Sequence, residues 1–286
     1  MRESDSHSSH GTFARRQGSG CRPPTRDRSA LTPARYGHNF RRMPAPELLQ
    51  STELPEWLVM AGVGVLFVAA VIYSQVLARR RREALAAFAQ SLDLTFHPGH
   101  DHDFPHQRAH RWFQQGRSQV AYNRIEGRRT IGDVECTLMF GDFQWVTGSG
   151  KSRTTHHRSY LLIQPSWPGL PNLEIRSEHL FDKIGDALGF DDIDFESEEF
   201  SRKFMVKSPD KRFAYAVVHP RMMEYLLAYG TYGVNLEQGE CLITGLGSRA
   251  DPSDFRAALG WTERFFGQWP DHLRNELNSS GWRSAT

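Results

Sequence analysis

Five histidines between positions 97 and 110 are the residues of this chain whose types and spacing come nearest to metal chemistry. They are His97, His100, His102, His106 and His110, with Asp101 and Asp103 among them. Imidazole and carboxylate groups are common ligands of zinc and iron. Two prolines and a glycine interrupt the segment, so a regular helix cannot align these side chains. We therefore take His100, His102, His106 and His110 as candidate metal ligands, while we predict no functional metal site and no cofactor.

The run GSGKS at Gly148–Ser152 is similar to the end of a phosphate-binding loop. That motif requires a glycine five places before Gly150, where this chain has Trp145, and it requires a strand before it and a helix after it. The flanking residues have strand patterns on both sides. We therefore predict a solvated hairpin loop.

Six acidic residues lie close together and invite comparison with a calcium-binding loop. They are Asp191, Asp192, Asp194, Glu196, Glu198 and Glu199. Counted from Asp192, the sixth position is Ser197 instead of glycine and the twelfth is Lys203 instead of glutamate, so the EF-hand pattern is broken. A solvated acidic linker is the prediction.

Charge is distributed unevenly along the 286 residues. Residues 1–42 contain nine arginines and three acidic residues, whereas residues 83–286 contain 22 Lys plus Arg against 27 Asp plus Glu. Nucleic-acid binding depends on clustered cations. The mildly acidic composition of the carboxyl-terminal region therefore argues against a nucleic-acid partner.

An uncharged apolar run from Trp57 to Ala78 dominates the organisation of the chain. As a helix that rises about 1.5 Å per residue it would be roughly 33 Å long, enough to cross a hydrocarbon core of about 30 Å. A signal peptide has its basic residues before a shorter apolar run. Here the basic residues that adjoin the run, Arg79–Arg82, follow it, and residues 43–56 before it contain no Lys or Arg, so we predict one transmembrane helix over residues 57–78.

Four arginines, Arg79–Arg82, follow the apolar run, whereas residues 43–56 contain three glutamates and no Lys or Arg. Because positively charged flanks stay on the cytoplasmic side, we predict an inner-membrane protein with its amino terminus outside and its carboxyl-terminal domain in the cytoplasm. Beyond the arginines, Leu85, Phe88, Ala89 and Leu92 recur at helical spacing, which predicts a juxtamembrane helix over residues 79–94.

Residues 1–56 are predicted to be disordered. The first 42 are rich in Ser, Arg, Gly, Pro and His, a composition that cannot bury a core. Nine arginines would also oppose translocation to the outer side. We therefore expect that residues 1–42 are not native and that translation starts at Met43.

Residues 95–270 have the pattern of an α+β domain. Alternating residues predict a hairpin of strands 118–125 and 131–140 about a turn at 127–129. Helical spacing predicts helices at Glu178–Leu188 and from Asp251 to about Phe266. We predict an antiparallel sheet covered by helices, followed by a flexible tail over residues 271–286.

The segment from Asp191 to Leu227 contains the blocks DFESEEF and HPRMMEYLL. These blocks resemble a bacterial family of membrane-anchored proteins that carry a domain of unknown function. The similarity extends more loosely from about Arg81 to Trp269 and includes TGSGK at Thr147–Lys151, whereas residues 1–42 depart from the pattern. The resemblance implies a membrane-anchored domain and implies no activity, ligand or catalytic residue.

The sequence favours a non-enzymatic, membrane-tethered module that binds another membrane or cytoplasmic protein, or a partner close to the lipid. It contains no nucleophile elbow, HExxH or GxGxxG motif. One alternative is a metal-assisted hydrolase that uses the His97–His110 cluster. Another is an envelope or transport assembly, in which the single helix packs against other membrane subunits.

Overall fold

The fold is described from a computed structural model for residues 55–132, 134–177, 192–279 and 282. The predicted start site at Met43, residues 1–54 of the predicted disordered segment and the helix predicted at Glu178–Leu188 lie outside these residues.

The described residues form helices, strands and two 3-10 turns, at Arg111–Gln114 and Gly150–Ser152. The helices are α1 (Glu56–Ser91), α2 (Phe104–Gln107), α3 (Glu198–Lys203), α4 (Lys211–Val217), α5 (Pro220–Tyr229), α6 (Pro252–Gly267) and α7 (Asp271–Ser279). The strands are β1 (Thr95–Asp101), β2 (Arg117–Ile131), β3 (Val134–Thr147), β4 (Thr154–Pro165), β5 (Leu173–Ser177), β6 (Phe204–Lys207), β7 (Gly233–Glu237) and β8 (Glu240–Thr244).

The strands form a single eight-stranded sheet in the order β1-β2-β3-β4-β8-β7-β5-β6, and every neighbouring pair is antiparallel. The predicted α+β class with an antiparallel sheet is therefore confirmed.

The hairpin of β2 and β3 is longer than predicted, and its turn lies elsewhere. Ile131 pairs with Val134, and Gly132 adopts a φ of 64°, a left-handed conformation that suits a two-residue hairpin turn. Gly127, predicted to lie in the turn, is inside β2. A Cβ there would lie 2.6 Å from Leu94 Cδ2, so this glycine permits close packing.

Both faces of the sheet are buried. Because alternate strand residues point to opposite sides, each face has its own core. One face packs against α1 and α3–α7 through residues such as Phe140, Leu161 and Ile243. The other face carries a smaller aromatic core. It contains Phe104, Trp112, Phe113, Phe143, Trp145 and Tyr160. Central strands buried on both sides account for the nearly continuous apolar sequence of Tyr160–Ile163.

Helix α1 is continuous for 36 residues, and its two halves have different surroundings. In the apolar half, up to Ala78, the large side chains are exposed, and Leu66 is 72% exposed. The second half lies on the sheet through Leu85, Phe88 and Ala89. Phe88 meets the ring of Phe140 edge-on at 5.8 Å.

Part of the segment predicted as a flexible tail, residues 271–286, is ordered instead. Residues 271–279 form α7, which buries Leu273 and Leu277. Beyond it, the Trp282 indole is only 9% exposed and donates a hydrogen bond of 2.7 Å to Asp210 Oδ2. Large apolar side chains at positions 273, 277 and 282 fix this segment because leaving them in water would be unfavourable.

Candidate functional site

The junction between α1 and the sheet is built around an ion pair between Arg81 and Asp142. Arg81 Nη1 lies 2.6 Å from Asp142 Oδ2, and Arg81 Nη2 lies 2.9 Å from Oδ1. The Asp142 side chain is fully buried, and that of Arg81 is 16% exposed. A two-pronged contact between planar guanidinium and carboxylate groups is the strongest geometry for this pair of ions.

Helical and strand periodicity together bring these two residues into contact. Arg81 precedes Leu85 by one helical turn, so it shares the stripe of α1 that faces the sheet. Asp142 follows Phe140 by two residues and therefore projects from the same sheet face. The first turn of α1 beyond the apolar run is thus anchored by charge, and the next turns are anchored by apolar contact.

The remaining hydrogen-bonding capacity of the buried carboxylate is also used. Asn123 Nδ2 donates to Asp142 Oδ2 at 2.9 Å, and Ser159 Oγ donates to Oδ1 at 2.7 Å. Ser159 Oγ in turn accepts from the Ala250 N–H at 2.8 Å, and Arg81 donates to the Ala250 carbonyl at 2.7 Å. We call these five residues the Asp142 hub. It joins α1, three strands and the loop before α6.

A cleft of about 430 Å³ opens beside the hub. We call it the arginine cleft. Its lining includes Ala78 and Arg82 of α1, His100 of β1, Tyr122 of β2 and Arg249 of the loop before α6. This volume lies within the range of about 300–1,000 Å³ typical of small-molecule sites.

Two exposed arginines give the cleft its charge. Arg81 is neutralised by Asp142, but neither Arg82 nor Arg249 forms an ion pair within the part of the chain that the structure describes. Arg82 follows the apolar run directly, and Arg249 is adjacent to Ala250 of the hub. The cleft therefore presents two uncompensated guanidinium groups from distant parts of the sequence.

His100 and Tyr122 also line the cleft, and Tyr122 contacts His157 outside the lining. The His100 ring stacks on Tyr122 at 5.4 Å, and Tyr122 Oη lies 3.2 Å from His157 Nδ1. Burial, followed by the nearby Arg249, lowers the pKa of His157. Burial and then the charge of Asp142 raise the pKa of Tyr122. At neutral pH these two groups are therefore uncharged hydrogen-bonding partners close to Arg249.

The structure separates the predicted histidine cluster. His102 and His106 are exposed on the segment around α2, and the exposed His100 stacks on Tyr122. His97 Nε2 lies 3.3 Å from Glu126. In the described ranges, no three His, Cys, Asp or Glu side chains converge as a metal site would require.

His110 differs from the other candidates because it is completely buried. Its Nδ1 accepts from the Trp112 N–H at 3.2 Å, so the Nε2–H faces the Asn235 carbonyl at 3.3 Å. Both ring nitrogens are therefore engaged within the protein. Burial lowers the pKa of His110, and the Glu237 carboxylate partly opposes that effect.

Two further motifs take structural roles. The GSGKS run forms the predicted hairpin loop between β3 and β4, with a capping box between Ser149 and Ser152. In the acidic run, Glu198 and Glu199 lie in the first turn of α3 behind the N-cap Ser197. Acidic residues at a helix amino terminus are stabilised by the helix dipole.

A smaller cavity of about 60 Å³ lies where β4, β5, β7 and β8 meet. It is lined in part by Trp112, Glu174 and Asn235, and burial raises the pKa of Glu174. Its volume is far below the roughly 300 Å³ lower bound for small-molecule sites. The arginine cleft is therefore the better candidate for a ligand.

Sequence reasoning missed the hub and the cleft, although part of the signal was present. The helical stripe through Leu85, Phe88 and Ala89 includes Arg81 when it is extended back by one turn. That spacing places Arg81, unlike Arg79, Arg80 and Arg82, on the face of α1 that packs against the sheet. Arg81 meets Asp142 and Ala250, and Asn123 and Ser159 meet Asp142; these four residues are distant from Arg81 in the sequence, and the folded sheet brings them together.

Comparisons with known proteins do not identify a family. No family model matches the chain, and no curated protein matches it. Among solved structures, the chain is similar to the crystal structure of the mycobacterial trehalose monomycolate transport factor A, TtfA. The TM-score is 0.44 at 12% identity, over 68% of this chain and 96% of that one. These values are too low to assign a common function.

Proposed function

We propose that this chain is a single-pass inner-membrane protein whose helix over residues 57–78 spans the bilayer, with its amino terminus outside and its domain in the cytoplasm. The domain acts as a non-catalytic module, presented at the membrane surface, that binds another membrane or cytoplasmic protein.

The exposure of the first half of α1 is the observation that carries this proposal. The apolar window of this helix has none of its residues buried. Met60 and Phe67 are each 69% exposed, and Leu66 is 72% exposed. A contiguous apolar surface of this length is unfavourable in water and favourable in hydrocarbon. A helix also satisfies its backbone hydrogen bonds internally, as lipid requires.

Charge supports the orientation, and the hub supports the position of the domain. Arg79–Arg82 lie on the carboxyl side of the apolar run, where the positive-inside rule places the cytoplasm. Arg81 is bonded to Asp142 of the domain. Since Arg81 is three residues beyond Ala78, the contact lies about 4.5 Å further along the helix axis. The domain is thus held close to the cytoplasmic surface of the membrane by direct contact with α1, without a flexible linker.

Two aromatic side chains on the helical layer suit a protein partner. Outside α1, Tyr215 of α4 and Tyr229 of α5 are the exposed large hydrophobic residues in the described ranges, at 50% and 59%. Tyrosine is enriched in protein interfaces because it combines a large apolar ring with a polar hydroxyl.

Topology can be tested with reporters fused after Thr286 in the full chain. We expect activity from a reporter that works only in the cytoplasm, and we expect the fusion to fractionate with membranes. Activity of a periplasm-specific reporter at the same position, or recovery of the fusion in the soluble fraction, would contradict the proposal.

Partner binding can be tested by photo-crosslinking in membranes. A photoreactive residue at Tyr215 or Tyr229 should give a discrete protein adduct, whereas one at the exposed Arg153 of the β3–β4 loop should not. Equal adducts at all three positions, or none at either tyrosine, would argue against a partner on this surface.

A further inference from the structure

We propose that the arginine cleft binds a phosphate-bearing anion, and specifically the headgroup of an anionic phospholipid in the leaflet next to the domain. This inference rests on the proposed function, because it requires the cleft to face the lipid headgroups.

The position of the cleft supports this ligand. Ala78, the last residue of the apolar run, lines it together with Arg82 of the following turn. Four residues of helix rise about 6 Å, so the cleft begins at the level where hydrocarbon gives way to headgroups.

The charge of the cleft selects an anion. Arg82 and Arg249 are exposed, and within the described residues neither has an acidic partner that would neutralise it. Guanidinium groups bind phosphate through paired, charge-assisted hydrogen bonds. A phosphate between these two arginines would neutralise charge that the domain leaves uncompensated.

The Asp142 hub holds the second arginine in place. The loop before α6 is fixed on both sides of Arg249, because Ser159 N–H donates to the Gly247 carbonyl at 2.9 Å and Ser159 Oγ accepts from Ala250 N–H at 2.8 Å. The same hub fixes α1 through Arg81. The backbone positions of residues 82 and 249 are therefore set by one network, which lowers the entropic cost of binding an anion.

The remaining lining suits a lipid headgroup better than a bare ion. His100 and Tyr122 provide hydrogen-bonding groups and an aromatic surface within the same cleft. A phosphodiester that carries a hydroxylated group, such as phosphatidylglycerol, could use both parts of the site. Inorganic phosphate could use only the arginines.

The test uses the full chain in detergent micelles, analysed by native mass spectrometry with phosphatidylglycerol and phosphatidylcholine of equal chain length. We expect the wild-type protein to retain one phosphatidylglycerol in preference to phosphatidylcholine. Arg249→Met should reduce that retention by about tenfold, since it removes one charge-assisted contact. Arg82→Met should act in the same direction.

Arg80→Met is the matched control, since it removes the same charge from the same arginine run but does not line the cleft. It should retain phosphatidylglycerol like the wild type. Equal losses for Arg80→Met and Arg249→Met would show only a general attraction to positive charge and would overturn the proposal.

A second arm titrates inorganic phosphate into the lipid-free protein and follows its melting temperature. Stabilisation by millimolar phosphate that Arg249→Met abolishes, without retention of phosphatidylglycerol, would assign the cleft to a soluble phosphate and overturn the lipid assignment. Arg249 is far from the apolar run in the sequence and is not one of the four flanking arginines, so Arg249→Met leaves the topology signal intact. Failure of lipid binding is therefore distinguishable from failure of the proposed topology.

Discussion

Arg81 binds both carboxylate oxygens of Asp142, a residue 61 positions further along the chain. The other three arginines of the run make no such contact with the domain within the described residues, and Arg79 pairs with Glu83 of its own helix. Four consecutive identical residues therefore divide into one structural anchor and three surface charges.

Breaking this pair should be costly. Asp142→Asn removes the charge that compensates Arg81, and we expect it to reduce the free energy of unfolding by about 3–5 kcal/mol, the usual cost of leaving one member of a buried pair unpaired. The measurement is denaturant unfolding of the full chain in micelles, followed by near-ultraviolet circular dichroism.

Arg80→Met is again the control and should change stability by less than about 0.5 kcal/mol, as is usual for surface positions. The double variant Arg81→Met with Asp142→Leu should be more stable than either single variant, because it leaves no unpaired ion. If Asp142→Asn were as stable as Arg80→Met, the anchoring role of the pair would be refuted.

The Tyr160 hydroxyl is a buried group without a hydrogen-bond partner in the described ranges, and it lies over Gly141. Tyr160→Phe should therefore keep the ring packing and raise stability by about 1–3 kcal/mol, the cost of an unsatisfied buried polar group. Thermal unfolding of the full chain in micelles gives the measurement. A loss of stability would reveal a hydrogen bond to that hydroxyl.

Gly141→Ala should destabilise the protein by about 1–3 kcal/mol, because the added Cβ would lie 2.8 Å from Tyr160 Oη in a packed core. Gly267→Ala is the control. Its Cβ would meet no atom of the described residues within 4 Å, and alanine is the better helix former at the end of α6. Equal effects of the two substitutions would contradict this account of the packing at Gly141.

His110 should make the folded protein sensitive to acid. Burial in the folded state lowers its pKa below the ordinary histidine value of 6.5, so the unfolded chain takes up a proton that the folded chain does not. The contribution of neutral His110 to the free energy of unfolding is complete above pH 6.5. It is lost as the pH falls from there towards the lower pKa of the folded state, at up to about 1.4 kcal/mol per pH unit.

Comparing wild-type protein with His110→Gln isolates this effect. The free energy of unfolding of the variant should fall less between about pH 8 and pH 5.5. Glu237, Arg111 and Glu240 face His110 and are present in both proteins. Burial raises the pKa of Glu240, which favours the folded state at lower pH in both proteins. Identical pH dependence of the two proteins would exclude the proposed role of His110.

Trp282 should contribute to stability although it lies near the carboxyl terminus. Its ring packs against Phe213 at 5.2 Å, and the Arg212 guanidinium lies 4.4 Å from the ring centroid. Trp282→Ala should cost about 3 kcal/mol, near the lower end for a buried tryptophan. Trp282→Phe should cost less, because it loses mainly the hydrogen bond to Asp210. Thermal unfolding checks both, and an unchanged Trp282→Ala variant would restore the interpretation of a flexible tail.

Local periodicity is sufficient to predict much of the fold. The helix from Asp251 is observed as α6, and the paired strand patterns after position 118 are observed as an antiparallel hairpin. These elements bury one regular stripe or one face, and such spacing is visible in the sequence.

The missed elements are those that tertiary contacts decide. Strand β1 contains Pro98 and Gly99, residues that favour irregular structure, and it pairs with β2 only through an interrupted register between His97 and His100. The polar composition of residues 271–286 predicts a flexible tail, yet its few apolar residues fall where α4 and the sheet offer a surface. That surface is formed by residues distant in the sequence, so local spacing does not predict where it lies.

The unbroken course of α1 has a mechanical consequence. Its 36 residues form one rod of about 54 Å with no proline, hinge or loop between the apolar half and the half that lies on the sheet. A neighbouring protein that rotated or tilted the apolar half would therefore rotate the sheet with it, because the Arg81–Asp142 ion pair fixes the helix to the sheet. The domain would then move together with the apolar half as one rigid body.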